Sequence, residues 1–274
     1  MTKISFTGAF ARAALLAALG TAALGAGCAQ TNTSGAQTPD DTGTLQVDSA
    51  AVAGVYDDED DLVGSGAAAL SGAAVWDTLT VAQWMALAAT TPEERTRADE
   101  AAASGAYLGD PRLAVRLQPG DEPGTASAAI EDAVGTAFET EVLHRFDGGG
   151  GQLDLTFSGE PAGEGRRMPS LLRVSFFLDA EPSESRVVVY VGDREGEPSE
   201  LARASLPQDV DRGTFAHRFD VQYEPGQIVV FLDGTPVVEA AARLGGGPMT
   251  AAVTATASAD TRAYLLQWVL DTGE

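Results

Sequence analysis

From Tyr107 to Leu270 the chain is a succession of short apolar segments separated by Gly, Pro and Asp turns, and this pattern leaves few folds open. In the segment Gln152–Phe157, large apolar residues occupy every second position, which places them on one face of a β-strand. Repeated strands without alternating helices are typical of antiparallel architectures. The fold class predicted from this pattern is all-β, an antiparallel β-sandwich with a short helical segment before it.

Individual strands follow from the same reasoning. Leu171–Leu178 is nearly all apolar, as expected for a strand buried on both faces. Asp233-Gly234 is the strongest short signal for a β-hairpin. Both central positions of a tight hairpin turn need a positive φ, which Asp and Gly adopt more readily than most residues. Glu224-Pro225-Gly226 predicts a second turn just before it. Further strands are predicted over residues 113–117, 137–146, 186–191, 214–223, 227–232, 235–238, 250–257 and 264–270.

Helix signals lie between residues 75 and 105. Thr91 is a good N-cap, Pro92 suits the first helical position, and two glutamates follow, so we expect a short polar surface helix over Pro92–Ala103. Residues 75–81 suit a strand, whereas 81–89 have helix-like apolar content. The role of residues 62–106 stays open from sequence alone.

Cys28 is the single cysteine of the chain, and it follows a leader of secretory type. A short polar segment with Lys3 precedes an Ala, Leu and Gly run over Ala13–Gly25, and small residues stand just before Cys28. The run is too short to span a membrane, which takes about 20 apolar residues. We therefore expect a cleaved signal peptide over residues 1–27 and no disulfide.

The cleavage region resembles the lipobox of bacterial lipoproteins, with Leu24 one residue earlier than that family favours. The resemblance implies lipid attachment at Cys28 and a membrane anchor in the bacterial cell envelope. Ala29 gives no retention signal of the aspartate type, which favours the outer membrane or the cell surface. Residues 28–72 are then expected to form a disordered acidic tether, because they are polar and include the run Asp57–Asp61. The alternative is an ordinary secreted protein with a stray cysteine.

The net charge of −23 limits the partners of the chain. Nucleic acids and anionic membrane surfaces are bound by clustered Lys and Arg, whereas in this chain 40 acidic residues outnumber 17 basic ones. We therefore expect no nucleic-acid partner and place the protein at a membrane through its lipid alone.

The order of segments in residues 73–272 resembles the L-type (legume-like) lectin domain within the concanavalin A-like lectin and glucanase sandwiches. The carrying segments are a strand, glycine loop and strand over Phe138–Phe157, a central strand Val174–Asp179, a hairpin over Phe219–Gly234, and a closing strand Tyr264–Val269. The resemblance implies a jelly-roll sandwich that binds glycans through loops at one end.

The resemblance also implies site residues. Sugar contacts fall on Asp154, Gly150 and Gly151, although Leu153 holds the place where the family has its sugar-binding aspartate. Asp179 corresponds to a metal-binding aspartate, but its usual glutamate partner is replaced by Phe177. We expect no cofactor. Calcium held by Asp179 with Glu181 and Glu184 is the less favoured alternative.

Catalytic chemistry has weak support. Glu139-Thr140-Glu141 places two carboxylates on one strand face, as in glycosidases of this sandwich type, but the third carboxylate of that pattern is missing. His144 and His217, the latter on a presumed outer strand face, are interpreted as ordinary strand residues. No Gly-x-Ser-x-Gly motif occurs.

Tryptophans are candidates for stacking on sugar rings. Trp268 is predicted to lie in the core. For Trp76, Trp84, Tyr190 and Tyr264, a role in stacking on sugar stays open from sequence. The charges of Arg166-Arg167 are interpreted as solvated loop charge.

The sequence therefore favours a lipid-anchored, non-enzymatic protein of the cell envelope that binds glycans or mediates adhesion. The alternatives are a structural or protein-interaction sandwich that has lost its sugar site and, less favoured, a glycoside hydrolase.

Overall fold

The architecture was determined from a computed structural model of the complete chain. The structure describes residues 53–56, 62–66, 69–104, 112–134, 137–147, 150–159, 168–179, 181–193, 196–207, 215–245, 248–258 and 260–271. The predicted signal peptide, the lipid site at Cys28 and the Arg166-Arg167 pair lie outside these residues.

Within the described residues the strands form two sheets. Sheet A has the order β14-β13-β12-β7-β16-β1-β2, with β4 and β5 joined to it through β16. Its strands are β1 (Ala53–Tyr56), β2 (Leu62–Gly66), β4 (Ala74–Leu79), β5 (Arg112–Leu117), β7 (Phe138–Asp147), β12 (His217–Glu224), β13 (Gln227–Leu232), β14 (Thr235–Ala240) and β16 (Arg262–Asp271).

Sheet B has the order β11-β10-β9-β8-β15-β6-β3. Its strands are β3 (Ala69–Ser71), β6 (Thr125–Val134), β8 (Gly151–Gly159), β9 (Leu171–Leu178), β10 (Arg186–Gly192), β11 (Ser199–Ser205) and β15 (Met249–Ala257). Among the described strands the pairings are antiparallel, apart from the parallel pairing of β1 with β16. The predicted fold class, an antiparallel β-sandwich with a short helical segment, is confirmed.

One apolar core fills the space between the sheets. Leu153, Leu155 and Phe157 of β8 are fully buried, as their alternation predicts, and they pack with residues such as Phe219 and Trp268 of sheet A. Burying apolar side chains of this size contributes about 1.5–3 kcal/mol each. Because the chain has one cysteine, this packing rather than a disulfide holds the sheets together.

Two helices precede β5; the first lies against the outer side of sheet A, and the second packs against the first. The first, α1 (Val81–Ala88), begins with a capping box in which Thr80 and Gln83 exchange hydrogen bonds of 2.9 and 3.2 Å between side chain and backbone. The second, α2 (Pro92–Ser104), begins as predicted, with the Glu94 amide donating to Oγ1 of Thr91 over 3.2 Å. Trp84 of α1 packs into a smaller apolar cluster on this side of the sheet.

The predicted hairpin is confirmed in detail. Asp233 and Gly234 have φ of 51° and 75°, which is the left-handed conformation that a tight hairpin turn requires. Gly226, in the turn predicted before β13, also has a positive φ of 112°. These turns fix the register of β12, β13 and β14, and so decide which side chains of these strands face the core.

The described strands begin before the predicted domain boundary at residue 73. β1, β2 and β3 fall in the segment predicted as tether, and β1 pairs with β16 from Ala53 opposite Trp268 to Tyr56 opposite Asp271. β6 and β11 were also not predicted, because their sequences are rich in Ala and Ser rather than in large β-branched residues. No helix among the described residues is long and apolar enough to cross a membrane.

Candidate functional site

The outer face of sheet B combines carboxylate, amide, hydroxyl, guanidinium and aromatic side chains. In β8, β9, β10 and β15, alternate residues enter the core, so the intervening ones lie on the opposite face. Strand register places these outer residues side by side across the sheet. The face they form comprises Gln152, Asp154, Thr156, Arg173, Ser175, Phe177, Arg186, Val188, Tyr190, Thr254 and Thr256.

Two arginine–aromatic pairs lie on this face. The guanidinium carbon of Arg173 lies 4.6 Å from the ring centroid of Tyr190, its cross-strand neighbour. The guanidinium carbon of Arg186 lies 4.6 Å from the centroid of Phe177, which is its neighbour on β9. Each contact is a cation–π interaction, which holds the guanidinium over the face of the ring.

Asp154 lies on the adjacent strand β8, at a level between these two pairs. Nε2 of Gln152 donates to both carboxylate oxygens of Asp154, over 2.9 and 2.7 Å. The two strand neighbours of Asp154 are Ser175 and Thr254, which both present hydroxyl groups. Ser175 is 1% exposed, and its Oγ has no hydrogen-bond partner among the described residues. The centre of the face therefore holds a fixed carboxylate beside an unsatisfied buried hydroxyl.

Gly150 and Gly151 have a structural role that the sequence did not reveal. The Gly150 amide donates to Oγ1 of Thr261 over 3.0 Å, and its carbonyl accepts from the amide of Ser258 over 2.9 Å. A Cβ on Gly151 would lie 2.4 Å from Cε1 of Phe146. The missing side chains therefore let the start of β8 approach a neighbouring loop and a core ring. Whether these glycines also contact sugar stays a prediction.

Asp179 lies at the end of β9, at the same end of sheet B as Gly150. Its Oδ1 accepts the amide of Glu181 over 3.1 Å, and its own amide donates to Oγ of Ser185 over 2.8 Å. These bonds stabilise the turn into β10. Within the described ranges, no group of three His, Cys, Asp or Glu side chains is arranged to hold a metal ion. Calcium at Asp179 stays a prediction.

A cluster of carboxylates lies on the outer face of sheet A. Glu139 and Glu141 share this face of β7, as predicted, and Asp220 of β12 lies directly opposite Glu141. Burial, followed by the charges of Glu141 and Glu139, raises the pKa of Asp220 to about 7, with Asp233 adding to the rise and Arg218 opposing it. Burial also raises the pKa of Glu141. These carboxylates and the arginine–aromatic face lie on opposite sides of the sandwich.

The prediction for the position of His217 was wrong. His217 lies on the inner face of β12, on the same side as the buried Phe219, and it is 7% exposed. A polar ring is tolerated there because Nδ1 contacts Oδ2 of Asp233 at 2.8 Å. His144 lies opposite it, fully buried and stacked on Phe146 with ring centroids 4.1 Å apart.

The remaining aromatic candidates occupy different surroundings. Trp268 is in the core, as predicted, and its Nε1 donates to Oγ1 of Thr140 over 2.7 Å. Tyr264 is buried in the cluster beneath α1, where Trp84 is partly covered and stacked by Arg112 at 4.7 Å. Trp76 packs against the main core. Of the aromatic candidates predicted from sequence, Tyr190 is the one on the outer face of sheet B.

Fold and surface together define an antiparallel β-sandwich with a polar, arginine-bearing outer face on sheet B. No protein-family model matches the chain, and no curated protein sequence matches it. Among solved structures, the potassium-bound carbohydrate recognition domain of Emp46p is similar at 15% identity, covering 59% of this chain and 83% of that chain, with a TM-score of 0.46.

Two further structures show comparable similarity. The exoplasmic/lumenal domain of VIP36 bound to Ca²⁺ and Man3GlcNAc is 17% identical, covering 59% of this chain and 79% of that chain, with a TM-score of 0.42. The carbohydrate recognition domain of Emp47p is 13% identical, covering 60% of this chain and 84% of that chain, with a TM-score of 0.45.

Proposed function

We propose that this chain is a non-catalytic glycan-binding or adhesion protein that holds its ligand on the outer face of sheet B. The observation that carries the proposal is that Asp154, held by Gln152, lies opposite Ser175, at a level between the two arginine–aromatic pairs of the neighbouring strands. Sugar rings offer hydroxyl groups to carboxylates, amides and guanidinium groups, and apolar CH surfaces to aromatic rings. A binding site of this kind needs a few convergent polar groups on a rigid scaffold, and four adjacent strands supply it here.

The proposal rests on the residues of this chain rather than on its likeness to other structures. Emp46p and Emp47p are described as carbohydrate recognition domains, and VIP36 was solved with a bound mannose-containing sugar. A glycan partner of the same broad class is what we propose for this chain. The adhesion role extends the proposal to glycans on another cell or on a matrix.

Anchoring to the cell envelope is part of the proposal. Cys28, at the end of the leader, carries the lipid, and the polar segment between Cys28 and β1 carries the domain away from the membrane. The lack of an aspartate after Cys28 favours the outer membrane or the cell surface. An envelope position would bring the outer face of sheet B within reach of extracellular or envelope glycans.

A glycan array tests the binding role. The complete chain, purified in a detergent without a sugar headgroup, should bind a defined set of glycans. Gln152→Ala should weaken this binding about tenfold or more, because it frees the Asp154 carboxylate from its fixed position. Gln222→Ala is the matched control, because Gln222 makes the equivalent contact of 2.9 Å with Glu139 on the other sheet.

The array also separates the alternatives. A folded protein that binds no glycan would contradict the proposal and favour the structural or protein-interaction module. Repeating the array with calcium and with a chelator tests Asp179, because binding that the chelator abolishes requires a metal ion. Release of reducing ends from a bound glycan would instead support the hydrolase alternative.

Metabolic labelling tests the anchor. A fatty-acid analogue should label the wild-type chain in its bacterial host, and Cys28→Ala should abolish both the label and partitioning into a detergent phase. An unlabelled wild-type chain in the aqueous phase would refute lipid attachment. Surface position follows from protease access in intact cells, with a periplasmic protein as the control.

A further inference from the structure

We infer that the ligand of the outer face of sheet B is an acidic polysaccharide, whose carboxylate or sulfate groups pair with Arg173 and Arg186. This inference rests on the proposed function, because it names the chemical class of the glycan. It starts from the pairing state of the arginines on this face.

Arginines in this chain have many carboxylates available to them. The protein has 40 acidic and 17 basic residues, so carboxylates outnumber the basic groups that they could pair with. Arg116 and Arg145 lie 3.4 and 2.8 Å from carboxylates, and Arg203 pairs with Glu200. Among the described residues, neither Arg173 nor Arg186 forms an ion pair.

The aromatic rings explain how these two guanidinium groups stay in place without a carboxylate. The rings of Tyr190 and Phe177 each pack against one guanidinium group. Nη1 of Arg186 also donates a hydrogen bond of 3.3 Å to the Glu184 carbonyl. Nε of Arg173 is buried and has no partner among the described residues. A stacked guanidinium keeps its N–H groups free at its edge, where they match an anionic oxygen pair.

Ser175 is an independent sign of a missing partner. It lies on β9 between Arg173 and Phe177, is 1% exposed, and has an Oγ without a hydrogen-bond partner in the described structure. An unsatisfied buried hydroxyl is destabilising, and a hydrogen bond to an oxygen of a ligand would relieve this cost. The two arginines and this serine thus offer hydrogen-bond donors on the same face.

The spacing favours a polymer over a single sugar. Arg173 and Phe177 are four residues apart on β9, which corresponds to about 13 Å along the strand. The two guanidinium groups therefore lie farther apart than the width of one sugar ring. An extended chain with an anionic group on successive sugars would reach both. Asp154, held by Gln152 between them, would accept hydroxyl groups of the neutral part of the chain.

The net charge of −23 makes this recognition local. A polyanion is repelled by the protein as a whole and is attracted only where guanidinium groups are not neutralised. Arg173 and Arg186 meet this condition, and because they lie on the same face of sheet B they can act on one polymer together.

Matched pairs of polymers test the inference. The complete chain in an uncharged detergent without sugar is titrated with polygalacturonate and with its methyl-esterified form, then with dextran sulfate and with dextran. We expect one charged polymer to bind at least about tenfold more tightly than its neutral counterpart, with weaker binding at higher salt. The first pair identifies carboxylate as the recognised group, and the second identifies sulfate.

Charge-removing variants locate the site. Arg173→Gln and Arg186→Gln should each lower affinity for the charged polymer about tenfold. Arg97→Gln on α2, which is exposed and lies with the helices on the side of sheet A, is the matched control and should leave affinity unchanged. Equal binding of charged and neutral polymers, or an equal effect of Arg97→Gln, would overturn the inference.

The design separates this inference from the proposed function. Binding to neutral glycans on the array without any preference for charged polymers would leave the proposed function standing and refute the acidic ligand. A folded chain that binds no glycan, charged or neutral, would refute both.

Discussion

Nδ1 of His217 lies 2.8 Å from Oδ2 of Asp233, and this contact joins the buried start of β12 to the turn between β13 and β14. Oδ1 of Asp233 accepts the amide of Arg218 over 2.9 Å, and the Asp233 amide donates to the Arg218 carbonyl over the same distance. Asp233 thus gives a buried imidazole its hydrogen-bond partner and bonds the backbone of Arg218 on β12. It does so from a left-handed turn position.

Asp233→Ala should therefore destabilise the protein by about 2–3 kcal/mol. It removes both side-chain hydrogen bonds and places alanine at a φ of 51°, where a side chain without a polar group is disfavoured. Asp233→Asn is the control, because asparagine tolerates this φ and keeps an acceptor for the Arg218 amide. Urea denaturation would measure both, and equal losses for the two variants would contradict this account.

Thr140 gives a second test within the core. Its Oγ1 accepts from Nε1 of Trp268 over 2.7 Å and donates to the Val269 carbonyl over 2.8 Å. Thr140→Val keeps the shape but leaves a buried indole N–H without an acceptor, so we expect a loss of about 1–3 kcal/mol. Thr140→Ser retains the hydroxyl and should lose less. Thermal unfolding with near-UV circular dichroism would report both stability and the environment of Trp268.

Gly151 distinguishes a packing glycine from a sugar-binding glycine. A Cβ there would lie 2.4 Å from Cε1 of Phe146 and 2.6 Å from the Thr256 carbonyl, so Gly151→Ala should cost about 2–3 kcal/mol of stability. Gly196→Ala is the control, because its nearest atoms lie 3.8 Å away. A Gly151→Ala protein of unchanged stability that has lost glycan binding would show that the residue serves the ligand instead.

The sequence predicted most of the core strands because their large apolar residues alternate. β8, β13 and β15 lie within two residues of their predicted bounds, and the Asp233-Gly234 turn could be predicted because few residues tolerate its backbone conformation. β6 and β11 were missed because alanine and serine carry little β-propensity, and pairing with neighbouring strands decides their conformation.

The candidate site was harder to predict than the fold. Asp154 was chosen through a family resemblance, and the structure places it on the outer face of sheet B. The sequence did not predict Arg173 and Arg186 as site residues. A cation–π pair between neighbouring strands depends on the strand register, which sequence spacing does not show. Tyr190 was a candidate by residue type alone.

Two buried groups respond to pH in opposite directions. The pKa of Asp220 is raised from 3.8 to about 7, mainly by burial, with Glu141, Glu139 and Asp233 raising it further and Arg218 lowering it. Between these values the folded protein holds a proton that the unfolded chain has released. Stability from Asp220 therefore rises as the pH falls from about 7 to about 4.

His144 has the opposite effect. Burial, aided by the charge of His217, lowers its pKa from 6.5 to about 3, while a backbone hydrogen bond with Arg145 opposes the shift. The unfolded chain then binds a proton that the folded protein does not, so stability from His144 falls as the pH drops from about 6.5 to about 3. Between about pH 4 and 6.5 the two contributions oppose each other.

Removing one of the two groups should leave the pH dependence of stability that the other group contributes. Asp220→Asn should stabilise the protein by about 1–3 kcal/mol at pH 8, because it removes a buried charge, and this gain should shrink as the pH approaches 5. His144→Leu should instead gain stability relative to wild type as the pH falls from 8 to 5. Urea denaturation of both variants and wild type across this range measures the difference. If the two variants shifted in the same direction relative to wild type on acidification, burial would not set both pKa values, and the two groups would not be opposed.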